Sequence, residues 1–174
     1  VYLSELSREQ GFRVAGAWAN QRLGEVVRHA GDINGDGLAD LIVGSPFSDL
    51  EKNSFTNSID AGSAHVVFGK KDTDAVEISN LGGDGFTLNT PYNFAGGNLL
   101  GRSVRSAGDV NGDGVADLIV GAEGSVDSNA DANLAPNANA YVLFGQTGLN
   151  TDVNLLGIEK AGSGFRMFYD DGEF

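Results

Sequence analysis

Residues 31–44 read Gly-Asp-Ile-Asn-Gly-Asp-Gly-Leu-Ala-Asp-Leu-Ile-Val-Gly, and residues 108–121 read Gly-Asp-Val-Asn-Gly-Asp-Gly-Val-Ala-Asp-Leu-Ile-Val-Gly. The two stretches lie 77 residues apart; twelve of their fourteen positions are identical and the other two exchange aliphatic side chains. A repeat of this quality decides the fold and is settled before any single element. The match extends outward on both sides. Leu23-Gly24 and Val27-Arg28 align with Leu100-Gly101 and Val104-Arg105, and residues 64–69 (AHVVFG) align with 140–145 (AYVLFG). Residues 76–81 lead to Gly85-Phe86 as 153–156 lead to Gly164-Phe165, and residues 1–6 before Gly11-Phe12 form a third copy of that junction.

The repeating unit is therefore about 75 residues long and occurs twice. Each unit reads as four strands, near 23–30, 39–45, 63–69 and 75–80 in the first, and near 100–107, 116–122, 139–145 and 152–156 in the second. Most are short apolar runs such as Leu41-Ile42-Val43, as strands buried on both faces require. With no helical periodicity beyond two turns, the fold class is all-β. Four-stranded antiparallel sheets repeated in this way are β-propeller blades, and a blade needs neighbours to cover its two faces. The expected division is 1–10 as the last strand of a preceding blade, 11–84 and 85–160 as the two blades, and 161–174 as the start of a following one. The chain then reads as a fragment of a larger propeller, or a building block for one, since an open sheet edge at each end invites association. Loops 46–62 and 123–139 differ most between the units and are polar.

Composition agrees. Twenty-six glycines against 3 prolines suit turns and bulges in a strand-rich chain. A net charge of −13 argues against nucleic acid and anionic membrane surfaces and favours cations. Cysteine is absent, which removes disulfides and thiolate metal sites. No apolar run approaches the ~20 residues of a membrane span. The start at Val1, with no visible signal segment, suggests a processed product or excised piece.

The chemistry lies in the repeated loop. Counted from Asp32, oxygen donors fall at positions 1, 3, 5, 7 and 9: Asp32, Asn34, Asp36, the Leu38 carbonyl and Asp40. The second copy supplies Asp109, Asn111, Asp113, the Val115 carbonyl and Asp117. Alternate oxygen ligands on one short loop suit a hard divalent cation, and Gly37 and Gly114 at position 6 permit the sharp turn. Three carboxylates within a few ångströms repel by about 1 kcal/mol per pair even in water. An all-oxygen set favours Ca²⁺ over Zn²⁺, and Mg²⁺ is second choice because of its strict octahedral demand. Two Ca²⁺ sites are expected, one per repeat. An EF-hand needs a glutamate at position 12, where this chain has Val43 and Val120, and it needs flanking helices. A dockerin also carries helices, and its loops are closer together.

With loop, following strand and unit length in place, the chain resembles the FG-GAP repeat of the integrin α-subunit β-propeller. At the Phe-Gly position it has Leu23-Gly24 and Leu100-Gly101, and at the Gly-Ala-Pro position Gly44-Ser45-Pro46 and Gly121-Ala122-Glu123. The resemblance implies Ca²⁺ in the hairpin between the first two strands of each blade, and partner proteins bound on another face or the rim.

The resulting expectation is a calcium-stabilised extracellular module, secreted or at the cell surface, acting as an adhesion or protein-interaction scaffold and not as an enzyme. Its partners are a protein, further blades or further copies of itself. One alternative is the propeller portion of a secreted lipase- or phospholipase-like hydrolase. Against it, no Gly-x-Ser-x-Gly elbow is present, and His29 and His65 align with Ser106 and Tyr141. The other is a glycan-binding propeller using Trp18, Tyr92 or Tyr141, although lone aromatics in a β protein usually pack. Gly82-Gly-Asp-Gly85 reads as a turn, and Arg28 and Arg105 recur at equivalent places where carboxylates could meet them.

Overall fold

A computed structural model describes residues 11–18, 20–48, 61–90, 99–123 and 139–168. Residues 1–10, Tyr92, the end of the chain after 168 and most of loops 46–62 and 123–139 lie outside the described residues. The strands are β1 (Val14–Ala15), β2 (Val26–Gly31), β3 (Asp40–Ser45), β4 (Ser63–Val67), β5 (Val76–Glu77), β6 (Gly85–Asn89), β7 (Ser103–Gly108), β8 (Asp117–Ala122), β9 (Asn139–Leu143), β10 (Val153–Asn154) and β11 (Gly164–Phe168). One short helix, α1 (Ile158–Ala161), precedes β11.

Two four-stranded antiparallel sheets result, β2-β3-β4-β6 and β7-β8-β9-β11. The central strands β3 and β4 are buried along almost their whole length, which explains why the sequence there is apolar without alternation. Between the sheets lies the larger core, with Ile42, Val66, Phe86 and Leu88 facing Leu118, Val120, Tyr141 and Leu143. A smaller core covers the other face of the first sheet, where Val43 and Val67 meet Val76, Ile78, Leu81 and the partly buried Phe12 and Val14. The all-β blade architecture read from the sequence is the architecture observed.

The fourth strand is a correction. It was expected at 75–80 and 152–156, but β6 and β11 hold that place, and only two residues of each expected segment are extended. Val76, Ile78 and Leu81 are all buried, but a spacing of three between the last two fits a 3-10 turn, and turns follow over Ile78–Asn80 and Gly82–Asp84. From Phe86 to Asn89 buried and half-buried residues alternate, with Phe86 and Leu88 packed in the core. The short strands serve another purpose. β5 pairs in parallel with β1 (Val14↔Val76), and β10 pairs in parallel with β6 (Leu88↔Val153). The second unit thereby adds two residues, Val153 and Asn154, to the outer strand of the first sheet.

Candidate functional site

Both aspartate loops are the connections of first hairpins, β2 to β3 and β7 to β8. A bulge precedes each, between His29 and Gly31 and between Ser106 and Gly108. Gly31 (φ 86°) and Gly108 (φ 77°) take left-handed backbone there, which turns the chain out of the strand.

Side chains at positions 1, 3 and 5 converge. In the first loop the Asp36 amide donates to Asp32 Oδ1 and to Asn34 Oδ1, both at 3.0 Å. The Gly37 amide donates to Asp32 Oδ2 (2.8 Å), and Asn34 Nδ2 donates to Asp36 Oδ2 (2.9 Å). The second loop repeats this pattern. The Asp113 amide donates to Asp109 Oδ1 (3.1 Å) and Asn111 Oδ1 (3.0 Å), the Gly114 amide to Asp109 Oδ2 (2.9 Å), and Asn111 Nδ2 to Asp113 Oδ2 (2.8 Å). The amides of Leu38 and Val115 donate to Asp36 Oδ1 and Asp113 Oδ1, each at 2.8 Å. Loop amides thus gather the oxygens of positions 1, 3 and 5 toward one another.

Position 9 has a second task. Asp40 and Asp117 are fully buried. Asp40 accepts from the Ile33 amide (2.9 Å) and the Gly69 amide (2.8 Å). Asp117 accepts from Val110 (2.7 Å) and Gly145 (2.9 Å) in the same way. Each carboxylate ties its hairpin loop to the end of the third strand. Sequence reasoning missed Gly69 and Gly145 as donors, although the Phe-Gly closing both third-strand segments was the available signal. Among the described residues no three His, Asp or Glu side chains form a closed cation cluster.

The donor set nonetheless fits a hard cation. Every candidate side chain offers oxygen, and no lysine or arginine lies between Gly31 and Leu41 or between Gly108 and Leu118. Burial pushes the Asp40 carboxyl above its ordinary range, against the backbone hydrogen bonds from Gly69 and Ile33, and the charges of Asp36 and Asp32 push it the same way. Lys70, which lines one cleft with Asp36, is tied to Asp72 (2.9 Å) and Asp84 (3.2 Å) and makes no ion pair with the loop among the described residues.

Other candidates resolve differently. His65 lies on β4 within a buried chain running from Ser48 Oγ to Ser63 Oγ (2.6 Å), to His65 Nε2 (3.0 Å), and from Nδ1 to Thr87 Oγ1 (3.2 Å). The ring meets hydroxyls on both nitrogens, so no carboxylate orients it as in a catalytic triad. Burial lowers its pKa to about 4. His29 is exposed on β2. Tyr141, offered as a sugar platform, is buried between the sheets and unavailable. Trp18 is exposed. Among the described residues no carboxylate pairs with Arg28 or Arg105; Arg28 donates to the Val27 carbonyl (2.9 Å). No helix among the described residues is long and apolar enough to cross a membrane.

Two antiparallel four-stranded sheets packed face to face, each opening on the same Asp/Asn/Gly hairpin, define a repeat protein of the propeller-blade class. The FG-GAP repeat model matches residues 29–67 and 100–142, which include both hairpins. The chain carries two FG-GAP repeats. It is 33% identical over 129 residues to integrin alpha-2 of Bos taurus, and 30% identical over 146 residues to integrin alpha-2 of Mus musculus. Those matches cover 67% and 72% of this chain but only 10% and 11% of the relatives.

Proposed function

We propose that this chain is a calcium-stabilised, extracellular β-propeller module that serves as an adhesion or protein-interaction scaffold and not as an enzyme. The observation that carries the reading is the twice-built hairpin in which loop amides draw together the oxygens of Asp32, Asn34 and Asp36, and of Asp109, Asn111 and Asp113. Two ions are proposed, with the Leu38 and Val115 carbonyls and the buried Asp40 and Asp117 completing the oxygen sets. Bound there, Ca²⁺ offsets the repulsion among the carboxylates and holds each hairpin closed. Calcium at the millimolar level outside cells suits such a structural role.

The partner is proposed to be a protein, which includes a further blade or another copy of this chain. Supporting this, Phe165 and Met167 on β11 are 40% and 44% exposed, while Phe86 and Leu88 at the equivalent places on β6 are 0% exposed under the second sheet. The face that the second sheet covers in the first unit is open in the second unit among the described residues.

Calcium that binds only the folded state should raise the melting temperature, by about 2.7 kcal/mol of stability per site at 100 times Kd, and EDTA should lower it. Titration calorimetry should count two ions in the natural chain and one each in Asp36→Ala and Asp113→Ala. A melting temperature indifferent to calcium and EDTA, with no heat of binding, rejects the reading.

A further inference from the structure

The two loops are equivalent in sequence but not in their surroundings. Three consecutive backbone carbonyls of the first loop accept hydrogen bonds from the second unit: Asp32 from the Ala116 amide (3.3 Å), Ile33 from Gln146 (3.1 Å) and Asn34 from Gly148 (3.0 Å). Among the described residues, no such bonds reach the carbonyls of Asp109, Val110 and Asn111. Ile33 is 0% exposed within the inter-sheet core, whereas Val110 at the same loop position is 52% exposed.

The glycines report the same asymmetry independently. A Cβ on Gly31 would stand 2.3 Å from Ala116 Cβ, and one on Gly35 would stand 3.0 Å from Thr147 Oγ1. At the equivalent Gly108 and Gly112 nothing among the described residues lies within 4 Å. The first loop is pressed against the second unit, and these two glycines of the second loop meet no such neighbour among the described residues.

We infer that the first aspartate loop is the tie between the two units, so that closing this loop on a cation docks one unit on the next, while the second loop plays no part in that junction. The coupling rests on the calcium reading above. Its mechanism is backbone geometry. Asp32 and Asn34 turn their side chains inward to the loop amides and their carbonyls outward to the second unit. An ion held by those side chains fixes the dihedral angles that aim the carbonyls. When the ion leaves, the repelling carboxylates open the loop, and Ala116, Gln146 and Gly148 lose their acceptors.

Amide hydrogen exchange on the full chain, in millimolar calcium chloride and in EDTA, tests the coupling, with calorimetry alongside. EDTA should speed exchange at Ala116, Gln146 and Gly148 by tenfold or more. Asp36→Ala, and the milder Asp36→Asn should the first unfold, should show that loss already in calcium. Asp113→Ala should speed exchange across 112–115 and leave Gln146 and Gly148 unchanged. If calorimetry counts two ions and the three amides ignore them, the coupling is wrong and the calcium reading stands. Equal loosening of Gln146 and Gly148 by Asp113→Ala overturns the asymmetry. If no ion binds, both readings fail together.

Discussion

His65 gives the molecule an acid-sensitive weak point whose size follows from its burial. The ring is 6% exposed, between strands β3 and β6, and desolvation lowers its pKa from 6.5 to about 4; the charge of Asp152 opposes the shift only in part. The unfolded chain takes up this proton near pH 6.5 and the folded chain only near 4, so between those values the unfolded state binds more protons and stability falls as pH falls. Relative to pH 8, the loss is about 2 kcal/mol at pH 5 and about 3 kcal/mol at pH 4. Replacing the ring by an amide that still bonds to Ser63 and Thr87 removes this proton uptake, so His65→Gln should lose less stability on acidification. Urea unfolding of both proteins at pH 8, 6, 5 and 4, in saturating calcium, reads the difference directly. Carboxylates titrate in both, so only the gap between the two profiles reports His65. Parallel profiles would show that the ring is hydrated or already paired with a charge, and the reasoning from burial would be refuted.

Two further perturbations separate the elements of the hairpin. Gly31→Ala and Gly108→Ala both force a side chain into left-handed backbone, at about 1 kcal/mol each, but only Gly31→Ala adds a collision with Ala116, bringing its cost to about 3 kcal/mol by denaturant unfolding. Equal costs would mean that the two units do not meet at Gly31. Asp117→Ala leaves the Val110 and Gly145 amides without acceptors and should cost about 3 kcal/mol, a loss that saturating calcium does not restore. Full rescue by calcium would place Asp117 in ion binding alone.

The sequence revealed what is local or repeated. The copies at 31–44 and 108–121 fixed the unit, the hairpins and the central strands, because a loop pattern followed by an apolar run has few other folds. Phe86 and Leu88 were equally visible, yet Gly85-Phe86 served only as a junction marker, since residues 76–81 offered a competing apolar pattern. Two features choose between them, and neither is local. One is the 3-10 spacing that buries Ile78 and Leu81 together. The other is the parallel pairing of Val76 with Val14 and of Val153 with Leu88, which joins residues more than sixty positions apart.

The site divides in the same way. Donors at positions 1, 3 and 5 were legible because their partners are loop amides a few residues away. The second role of Asp40 and Asp117 was not, because it depends on Gly69 and Gly145 arriving at the end of a third strand 29 and 28 residues further on. The difference between the loops was less legible still, since their sequences are nearly identical. Ile33 is buried and Val110 exposed only because a second unit stacks on the first. An inequivalence of this kind belongs to the interface and not to the motif. Identical loops in a stacked repeat can therefore differ in what their occupation does, and each loop's effect must be argued from the neighbour it touches.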